Sequence, residues 1–371
     1  MSKYDFDVIV VGGGPSGSSA ARAAAEQGMK TLLIEEHSQI GMPEHCCGML
    51  GGTKTGYVEN IVLTEMDKRA LVAPVKAEHV YAPNGKMLNI STVGWGALTV
   101  ERCIFDFELS RLAAKAGAEM MIHTRVSSLI HDEKGNIKGV KTESENIPEI
   151  TSKIVIGCDG LGATTRGIAK WEGLNTPPDV MRVGILFHLS GVTDIEPGVL
   201  DFHMGCFGNQ RGDITLIPRY DDYCVCDIPS LKSYETIKAG NWPLSKKLKN
   251  SKVLRMQGWS HPLYLRPWLP DNVVKNGLML AGDGALGIGG IDFAIHCGRL
   301  AGKVASEAIK KDDFTADGLS SYNGLLKDLR IQRTGYRVRF DMLATYCRGL
   351  SDAELQKKFD ELGPKIIGVE Y

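Results

Sequence analysis

Three glycines near the amino terminus have the spacing of a turn that binds phosphate. Gly12, Gly14 and Gly17 follow an apolar run, and an alanine-rich segment over 20–27 comes next. In such a unit the first glycine permits a tight turn, the second lets the backbone approach a pyrophosphate, and the third lets helix and strand pack closely. The free N–H groups at the helix start attract phosphate oxygens. Pro15 and Ser16 lie inside this turn, so we expect them beside the same phosphates.

An acidic residue ends the next apolar run. Glu35 follows residues 31–34, and a carboxylate about twenty residues past the glycines can accept hydrogen bonds from ribose hydroxyls. Glu36 is the alternative acid. Three glycines alone would also suit a turn without a ligand. The order of strand, turn, helix, strand and acid predicts a dinucleotide site.

Two later apolar runs end in the same way. Residues 153–158 lead into Asp159-Gly160, and residues 277–281 lead into Gly282-Asp283. Short apolar runs of this kind are typical of parallel strands whose carboxyl ends face a ligand. Asp283 is placed to bind a polyol chain. The glycine-rich turn over 287–290 and the helix expected over 293–309 could hold a second anionic or electron-rich group.

Composition excludes several classes of protein. The chain has 371 residues, 43% hydrophobic and 23% charged, with a net charge of −1, which is ordinary for a globular protein and argues against nucleic acid as a partner. No apolar run reaches the length of about eighteen residues needed to span a membrane, and no signal peptide is visible. Nine scattered cysteines indicate reduced thiols and hence the cytoplasm, with membrane association at its inner face left open.

The pattern of elements predicts an α/β fold with a Rossmann-like parallel sheet. We expect a helix over 105–117 and a hairpin of 126–130 with 137–142. Residues 178–270 are richer in aromatics, Pro and Asp and contain short alternating runs, such as 183–189 and 214–217. The prediction is therefore a discontinuous nucleotide-binding domain (1–75, 97–177 and 271–312), a mainly antiparallel β substrate domain (76–96 and 178–270) and a helical C-terminal region (313–371).

These motifs together resemble a known superfamily. Gly12, Gly14 and Gly17 with Glu35, then Asp159-Gly160 before Arg166, then Gly282-Asp283 with Gly289-Gly290, are similar to the three signatures of p-hydroxybenzoate-hydroxylase-type flavoproteins. Within it, the chain resembles the geranylgeranyl reductase family over about residues 5–310. The features are Pro43-x-x-x-Cys47-Gly48, Val100-Glu-Arg102 with Phe105-Asp106, and the segment from Gly289 to Gly298.

The resemblance implies FAD as the cofactor and assigns roles to its neighbours. It implies glycines 12, 14 and 17 at the pyrophosphate, Glu35 at the adenosine ribose, and Arg102 and Asp283 at the chain of the flavin. It also implies that Gly289 and Gly290 approach the ring and that Cys47 lies over it beside the substrate. The remaining predicted cofactor contacts are Gly48, Val126, Asp159, Gly160 and Ile291. No second glycine fingerprint is present, which leaves the electron donor open among ferredoxin, reduced nicotinamide and deazaflavin.

Two adjacent cysteines are the second unusual feature. His45-Cys46-Cys47-Gly48 could be buried loop residues, a proton-donating or redox site, or part of a metal site, for which no partner pair at zinc-like spacing is near. We predict no metal and take Cys47 and His45 as the catalytic candidates. A thiol is protonated at neutral pH and can deliver a proton. In an extended loop adjacent side chains alternate, so Cys46 should point away from Cys47.

Cys224-x-Cys226-x-Ile228-Pro229 departs from the resemblance. Prenyl reductases often carry Tyr-x-Trp-x-Phe-Pro in the substrate domain, and the match would put two cysteines in the cavity wall in place of aromatics. The alternative is an ordinary strand with both cysteines on one face. The arginines at 330, 333 and 337 share a helical face, which is either solvated or docks on anionic lipid or an acidic partner.

The resemblance implies a reductase that saturates C=C bonds of an isoprenoid chain on a lipid or quinone. A hydride would come from the reduced cofactor, and a proton from Cys47 or a water that it holds. One rival is a flavin monooxygenase acting on an aromatic ring. The other is an electron carrier to quinone, which usually holds an iron–sulfur cluster on C-terminal cysteines. Only Cys347 lies beyond Cys297 here.

Overall fold

The structure is a computed structural model and describes most of the chain. The residues described are 4–51, 58, 62–91, 96–160, 167–174, 180–207, 210–263, 272–286, 290–329 and 350–367. Arg166, Gly289 and the arginines at 330, 333 and 337 lie outside these residues, and so do the predictions made for them.

Three sheets and a set of helices make up the described residues. The strands are β1 Phe6–Val11, β2 Thr31–Ile34, β3 Met49–Leu50, β4 Leu71–Pro74, β5 Ala77–Tyr81, β6 Met87–Ser91, β7 Leu98–Val100, β8 Glu119–Met121, β9 Val126–His131, β10 Ile137–Thr142, β11 Glu149–Gly157, β12 Val180–Ser190, β13 Val199–Phe207, β14 Gln210–Pro218, β15 Cys224–Ile228, β16 Lys252–Leu263, β17 Val274–Lys275 and β18 Leu278–Leu280. The helices are α1 Pro15–Glu26, α2 Leu63–Glu65, α3 Arg102–Lys115, α4 Ile168–Trp171, α5 Leu231–Ala239, α6 Pro243–Leu248, α7 Asp283–Leu286, α8 Ile291–Lys310, α9 Ala316–Leu319 and α10 Asp352–Ile367.

The first sheet has eight strands, and its centre is parallel. Its main order is β17-β18-β11-β1-β2-β8, with β9 and β10 attached at β11. Strand β1 pairs in parallel with both β2 and β11, and β18 pairs in parallel with β11. The apolar runs of these central strands are buried on both faces, which is why they read as continuous rather than alternating. The parallel strands predicted at 31–34, 153–158 and 277–281 are therefore confirmed.

The second sheet has seven strands in the order β16-β12-β15-β14-β13-β5-β6. Every described pair is antiparallel except β5 with β13. One face packs on α5 and α6 through Phe187, Leu216, Tyr234 and their neighbours. Its strands fall within 76–96 and 178–270, the ranges assigned above to a substrate domain. The α/β fold class is confirmed, whereas the exact domain boundaries stay a prediction.

Several elements begin earlier than their sequence pattern indicates. Helix α1 starts at Pro15 rather than near residue 20, because proline is favoured in the first turn of a helix and Gly17 is tolerated where it packs closely. Helix α3 starts at Arg102, and α8 starts at Ile291. The predicted hairpin is confirmed as the antiparallel pair β9–β10.

The C-terminal region is helical in its described parts. Helix α9, a helical segment over 321–329 and α10 make up this region. Helix α10 packs through Leu355 and Phe359 on a cluster that includes Val80 and Met204 of the seven-stranded sheet. None of the helices described is long and apolar enough to cross a bilayer.

Candidate active site

The glycine turn has the shape that its sequence predicts. Gly12 has a φ of +102°, and a Cβ there would lie 2.5 Å from the carbonyl oxygen of Cys158. A Cβ on Gly17 would overlap the carbonyl oxygen of Gly12, so this glycine is needed for helix α1 to meet the turn. At Gly14, by contrast, no atom of the residues that the structure describes lies within 4 Å of an added Cβ. The open space is therefore at Gly14, where a phosphate would approach the backbone.

Glu35 closes one side of this turn. One carboxylate oxygen accepts a hydrogen bond from the backbone N–H of Gly13 at 2.7 Å, and the other accepts from the N–H of His37 at 2.9 Å. The ring Nδ1 of His37 lies 2.6 Å from the same second oxygen. Glu35 is buried, so these contacts fix its position. Glu36 is more exposed and lies 3.6 Å from the guanidinium of Arg125.

A cavity of about 450 Å³ extends from this turn across the carboxyl ends of the parallel strands. It brings together most of the predicted cofactor residues: its walls include Gly12, Gly14, Glu35, Glu36, His45, Arg102, Val126, Asp159, Gly160 and Asp283. Sequence reasoning missed other wall residues, among them His37, Met42, Thr124, Arg125 and Trp171. The spacing of these residues carries no recognisable signal, and only the fold brings them to the wall.

The carboxylate of Asp159 indicates whether a polyol or nucleotide would fit this cavity. Its Oδ2 accepts a hydrogen bond from the N–H of Ile168 at 2.9 Å, but its buried Oδ1 has no partner among the described residues. Burial raises the pKa of Asp159 to about 6. A buried oxygen without a partner is costly, and a ligand hydroxyl would satisfy it. The open space at Gly14 suits a phosphate, and this oxygen suits a ligand hydroxyl. The residues present therefore fit FAD.

Arg102 gives the cavity a fixed positive charge. Its guanidinium forms two hydrogen bonds with the carboxylate of Asp106, at 3.0 and 2.6 Å, one turn further along α3. It also faces Cys46, where its charge and a hydrogen bond with Cys47 lower the pKa of the Cys46 thiol. The pKa of Cys47 is raised by that same hydrogen bond and by burial.

The residues 41–48, which we call the cysteine loop, give the two cysteines different surroundings. Cys46 lines the cavity, whereas Cys47 packs on an apolar cluster that includes Val75, Leu200 and Ile217. The two neighbouring side chains therefore face different parts of the molecule. Gly48 turns the chain directly after the pair, with a φ of +79°. Cys47 faces the seven-stranded sheet rather than the glycine turn.

A buried arginine of that sheet holds the cysteine loop in place. Arg219, which follows β14, is 2% exposed and donates a hydrogen bond to the carbonyl oxygen of Cys47 at 2.6 Å. Its Nε lies 3.1 Å from a carboxylate oxygen of Glu101. A Cβ on Gly48 would overlap the same guanidinium. Gly48 thus makes room for Arg219 and is not among the cavity walls.

The remaining predicted residues lie nearby with other contacts. His45 is exposed, and its Nδ1 lies 3.3 Å from the carbonyl oxygen of Gly258. Pro15 and Ser16 form the start of α1. Gly290 precedes α8, and Ile291, its first residue, packs in an apolar cluster with Phe105.

Cys224 and Cys226 do not form a cavity wall. Both are fully buried and pack with Phe187, Tyr234 and Ile237 in the core between the seven-stranded sheet and α5. Of the two alternatives, this placement favours the ordinary strand over a substrate-cavity wall. They lie on one face of β15 as ordinary strand residues, and residues 223, 225 and 227 occupy the opposite face.

Comparison with known proteins gives the family. Residues 7–167 match the family model of FAD-dependent oxidoreductases. A digeranylgeranylglycerophospholipid reductase from Methanocella arvoryzae is 31% identical to the chain over 88% of it and 84% of that protein. The chain belongs to the geranylgeranyl reductase family of FAD-dependent oxidoreductases.

Solved structures agree with this family. A geranylgeranyl bacteriochlorophyll reductase-like protein from Thermoplasma acidophilum superimposes with a TM-score of 0.82 at 27% identity, over 98% of this chain and 92% of that one. A probable FAD-dependent monooxygenase from Pseudomonas aeruginosa gives a TM-score of 0.68 at 17% identity, over 96% and 99%. The second likeness concerns the fold alone.

Proposed function

We propose that this family member reduces C=C bonds of geranylgeranyl chains carried on a glycerophospholipid. The observation that supports it most is the arrangement of the cysteine loop. On one side the loop lines a cavity that fits FAD, and on the other it presents Cys47 to an apolar cluster with Leu200 and Ile217. An isoprenoid chain needs apolar walls. Its reduction also needs the alkene to contact both the flavin and the proton donor.

The cofactor, when bound and reduced, supplies the hydride. The glycine turn, Glu35 and Asp159 bind and orient the dinucleotide. Arg102 stays charged beside Asp106 and favours negative charge at this end of the cavity. A hydrogen bond with Cys46 and burial raise the pKa of the Cys47 thiol, which favours its protonated form. We assign Cys47 as the first of two candidate donors of the one proton that goes to the alkene carbon that does not receive the hydride.

The cytoplasm is the proposed location, with peripheral contact to the membrane that holds the lipid. An external donor, a ferredoxin, a reduced nicotinamide or a deazaflavin, reduces the cofactor. We assign no metal. Glu44, Glu101 and Cys103 have candidate ligand atoms within 4.8 Å of one another. However, Arg255 lies 2.7 Å from Glu44, and Arg219 lies beside Glu101, so arginine already balances both carboxylates.

The test is a single turnover without oxygen. The protein is loaded with FAD, reduced chemically and mixed with a digeranylgeranyl glycerophospholipid in detergent micelles. We expect the lipid to reoxidise the flavin and to gain hydrogen, as seen by absorbance and mass spectrometry. Failure of the lipid to reoxidise the flavin, together with rapid reoxidation by air and hydroxylation of an aromatic compound, would favour the monooxygenase.

A pair of variants tests the role of Cys47. Serine keeps the size of cysteine but has a far higher pKa, so Cys47→Ser should slow lipid reduction by roughly 10²–10⁴-fold with unchanged FAD content. Cys46→Ser is the matched control, and we expect it to change the flavin spectrum more than the rate of reduction. Equal, small losses in both variants would mean that the pair only lines the site.

A further inference from the structure

A buried polar cluster joins the cysteine loop to the seven-stranded sheet. Glu44 comes from the loop, His188 from β12 and Arg255 from β16, and Tyr223 directly precedes β15. Glu44 and His188 are buried, at 5% and 3% exposure. None of the roles assigned above uses His188 or Tyr223.

The hydrogen bonds of this cluster fix which ring nitrogen of His188 carries a proton. Arg255 Nη2 lies 2.9 Å from His188 Nε2, and an arginine can only donate. His188 Nε2 must therefore accept and cannot carry a hydrogen. The carboxylate of Glu44 lies 3.4 Å from Nε2 but takes its own hydrogen bond from Arg255 at 2.7 Å. Burial and the charge of Arg255 lower the pKa of His188 to about 4. The ring is neutral near pH 7, with its one proton on Nδ1.

The position of this proton determines whether the Tyr223 hydroxyl donates or accepts the hydrogen bond with His188. His188 Nδ1 lies 2.7 Å from the hydroxyl oxygen of Tyr223, so Nδ1–H donates and the hydroxyl oxygen accepts. No second hydrogen-bond partner for this hydroxyl is present among the described residues. The proton of the Tyr223 hydroxyl is thus available to a ligand. Burial raises the pKa of Tyr223 to about 12, so the hydroxyl keeps that proton over the physiological range.

Tyr223 lies on the face of the sheet that meets the cysteine loop. Its carbonyl oxygen accepts a hydrogen bond from the backbone N–H of Arg219 at 2.8 Å, and the guanidinium of Arg219 binds the carbonyl oxygen of Cys47. His188 of the neighbouring strand contacts Glu44 of the same loop. Cys224, one residue further, points into the opposite core.

We propose that Tyr223, in place of the Cys47 thiol, gives the one proton that reduction of a C=C bond requires. Its hydroxyl delivers this proton to an alkene carbon of the bound isoprenoid chain. This inference rests on the proposed function. One alkene carbon takes up a hydride, whose two electrons come from the reduced cofactor. The other carbon forms a C–H bond as the O–H bond of Tyr223 breaks. The phenolate that remains accepts the Nδ1–H bond of His188 and is then reprotonated from water.

The first test measures the hydrogen-bond direction without any turnover. Protein labelled with ¹⁵N at histidine is observed by NMR, and His188→Gln assigns the signal. We expect a protonated Nδ1 and a bare Nε2, unchanged between pH 5.5 and 8. A signal that titrates near pH 6.5, or a protonated Nε2, would overturn the proposal because the hydroxyl of Tyr223 would then have to donate to His188.

The second test is the single turnover of the reduced protein with digeranylgeranyl glycerophospholipid. Tyr223→Phe should slow flavin reoxidation by roughly 10²-fold, with unchanged FAD content and an unchanged Kd for the lipid. Tyr220→Phe is the matched control, since this exposed tyrosine stacks on Tyr223 at 6.0 Å between ring centroids. A wild-type rate in Tyr223→Phe, or a loss confined to lipid affinity, would sink this inference alone. A wild-type protein that does not react with the lipid would sink the proposed function as well.

Discussion

The two sides of the cysteine loop are built in different ways. On the cofactor side, residues 7–35 supply the strand, turn, helix and acid of the site from one stretch of chain. On the sheet side, Glu44, His188, Arg219 and Tyr223 come from distant positions and meet only after folding. The two sides differ in their chemistry as well as in how far apart their residues lie in the sequence. Backbone groups and glycines bind a phosphate, whereas a paired network of charged side chains supports the loop and the proposed proton donors.

The glycine turn should show the largest effects, and its glycines should differ from one another. Gly17→Ala places a methyl group on the carbonyl oxygen of Gly12, so we expect insoluble protein or a loss of roughly 4 kcal/mol in the free energy of unfolding. Gly14→Val meets open space and should fold, yet lose FAD by about 100-fold or more in Kd, equivalent to roughly 2.7 kcal/mol. Denaturant titration and flavin fluorescence measure the two effects. Wild-type FAD affinity in Gly14→Val would show that no phosphate approaches there.

Substitutions on the sheet side should change the free energy of unfolding. Arg219→Met leaves the carboxylate of Glu101 buried without its arginine, which should lower the free energy of unfolding by about 3 kcal/mol. Arg69→Met removes an exposed ion pair with Asp67, so it is the matched control and should leave the free energy of unfolding nearly unchanged. Urea titration of both variants checks the prediction. Similar small losses would mean that Arg219 does not hold the loop.

Glu35 sharpens the comparison because it is the acid that completes the stretch 7–35 of the cofactor side. Glu35→Gln should weaken FAD by roughly 1.5–3 kcal/mol, or about 10- to 150-fold in Kd, with the fold kept. Glu36→Gln is the control, as it lies at the same wall but pairs with Arg125. The measurement is FAD titration of the stripped protein. A larger loss in Glu36→Gln would move the ribose contact to that residue.

The same difference explains which parts of the fold and of the site could be predicted from the sequence. The parallel strands, the hairpin and the cavity walls at Glu35, Asp159 and Asp283 all follow local patterns of glycine, acid and apolar run. The cluster around His188 has no such pattern, because its members lie tens to hundreds of residues apart. The direction of Cys224 depended on which face of β15 meets α5, and alternation alone leaves that choice open.

A further expected effect is a pH dependence of stability that arises in the seven-stranded sheet. Burial raises the pKa of Glu78 to about 7, from its ordinary value of 4.5. The folded protein therefore holds a proton that the unfolded chain releases, and stability should fall as the pH rises from about 4.5 through 7. Glu78→Gln should flatten this part of the profile, measured as Tm against pH. Glu119→Gln, an exposed residue, should leave it as in the wild type.

Helix α8 contacts the cofactor-binding helix α1 from the far end of the sequence. A Cβ on Gly298 would overlap the carbonyl oxygen of Ser16, and one on Gly302 would overlap that of Ala20, so the two backbones touch. During synthesis, about three hundred residues are therefore added after the phosphate-binding helix before its packing partner leaves the ribosome. The seven-stranded sheet is made within that interval, and its strands are complete before the helix pair can form. An amino-terminal fragment that ends near residue 167 should then fail to retain the dinucleotide, although it contains the whole glycine fingerprint.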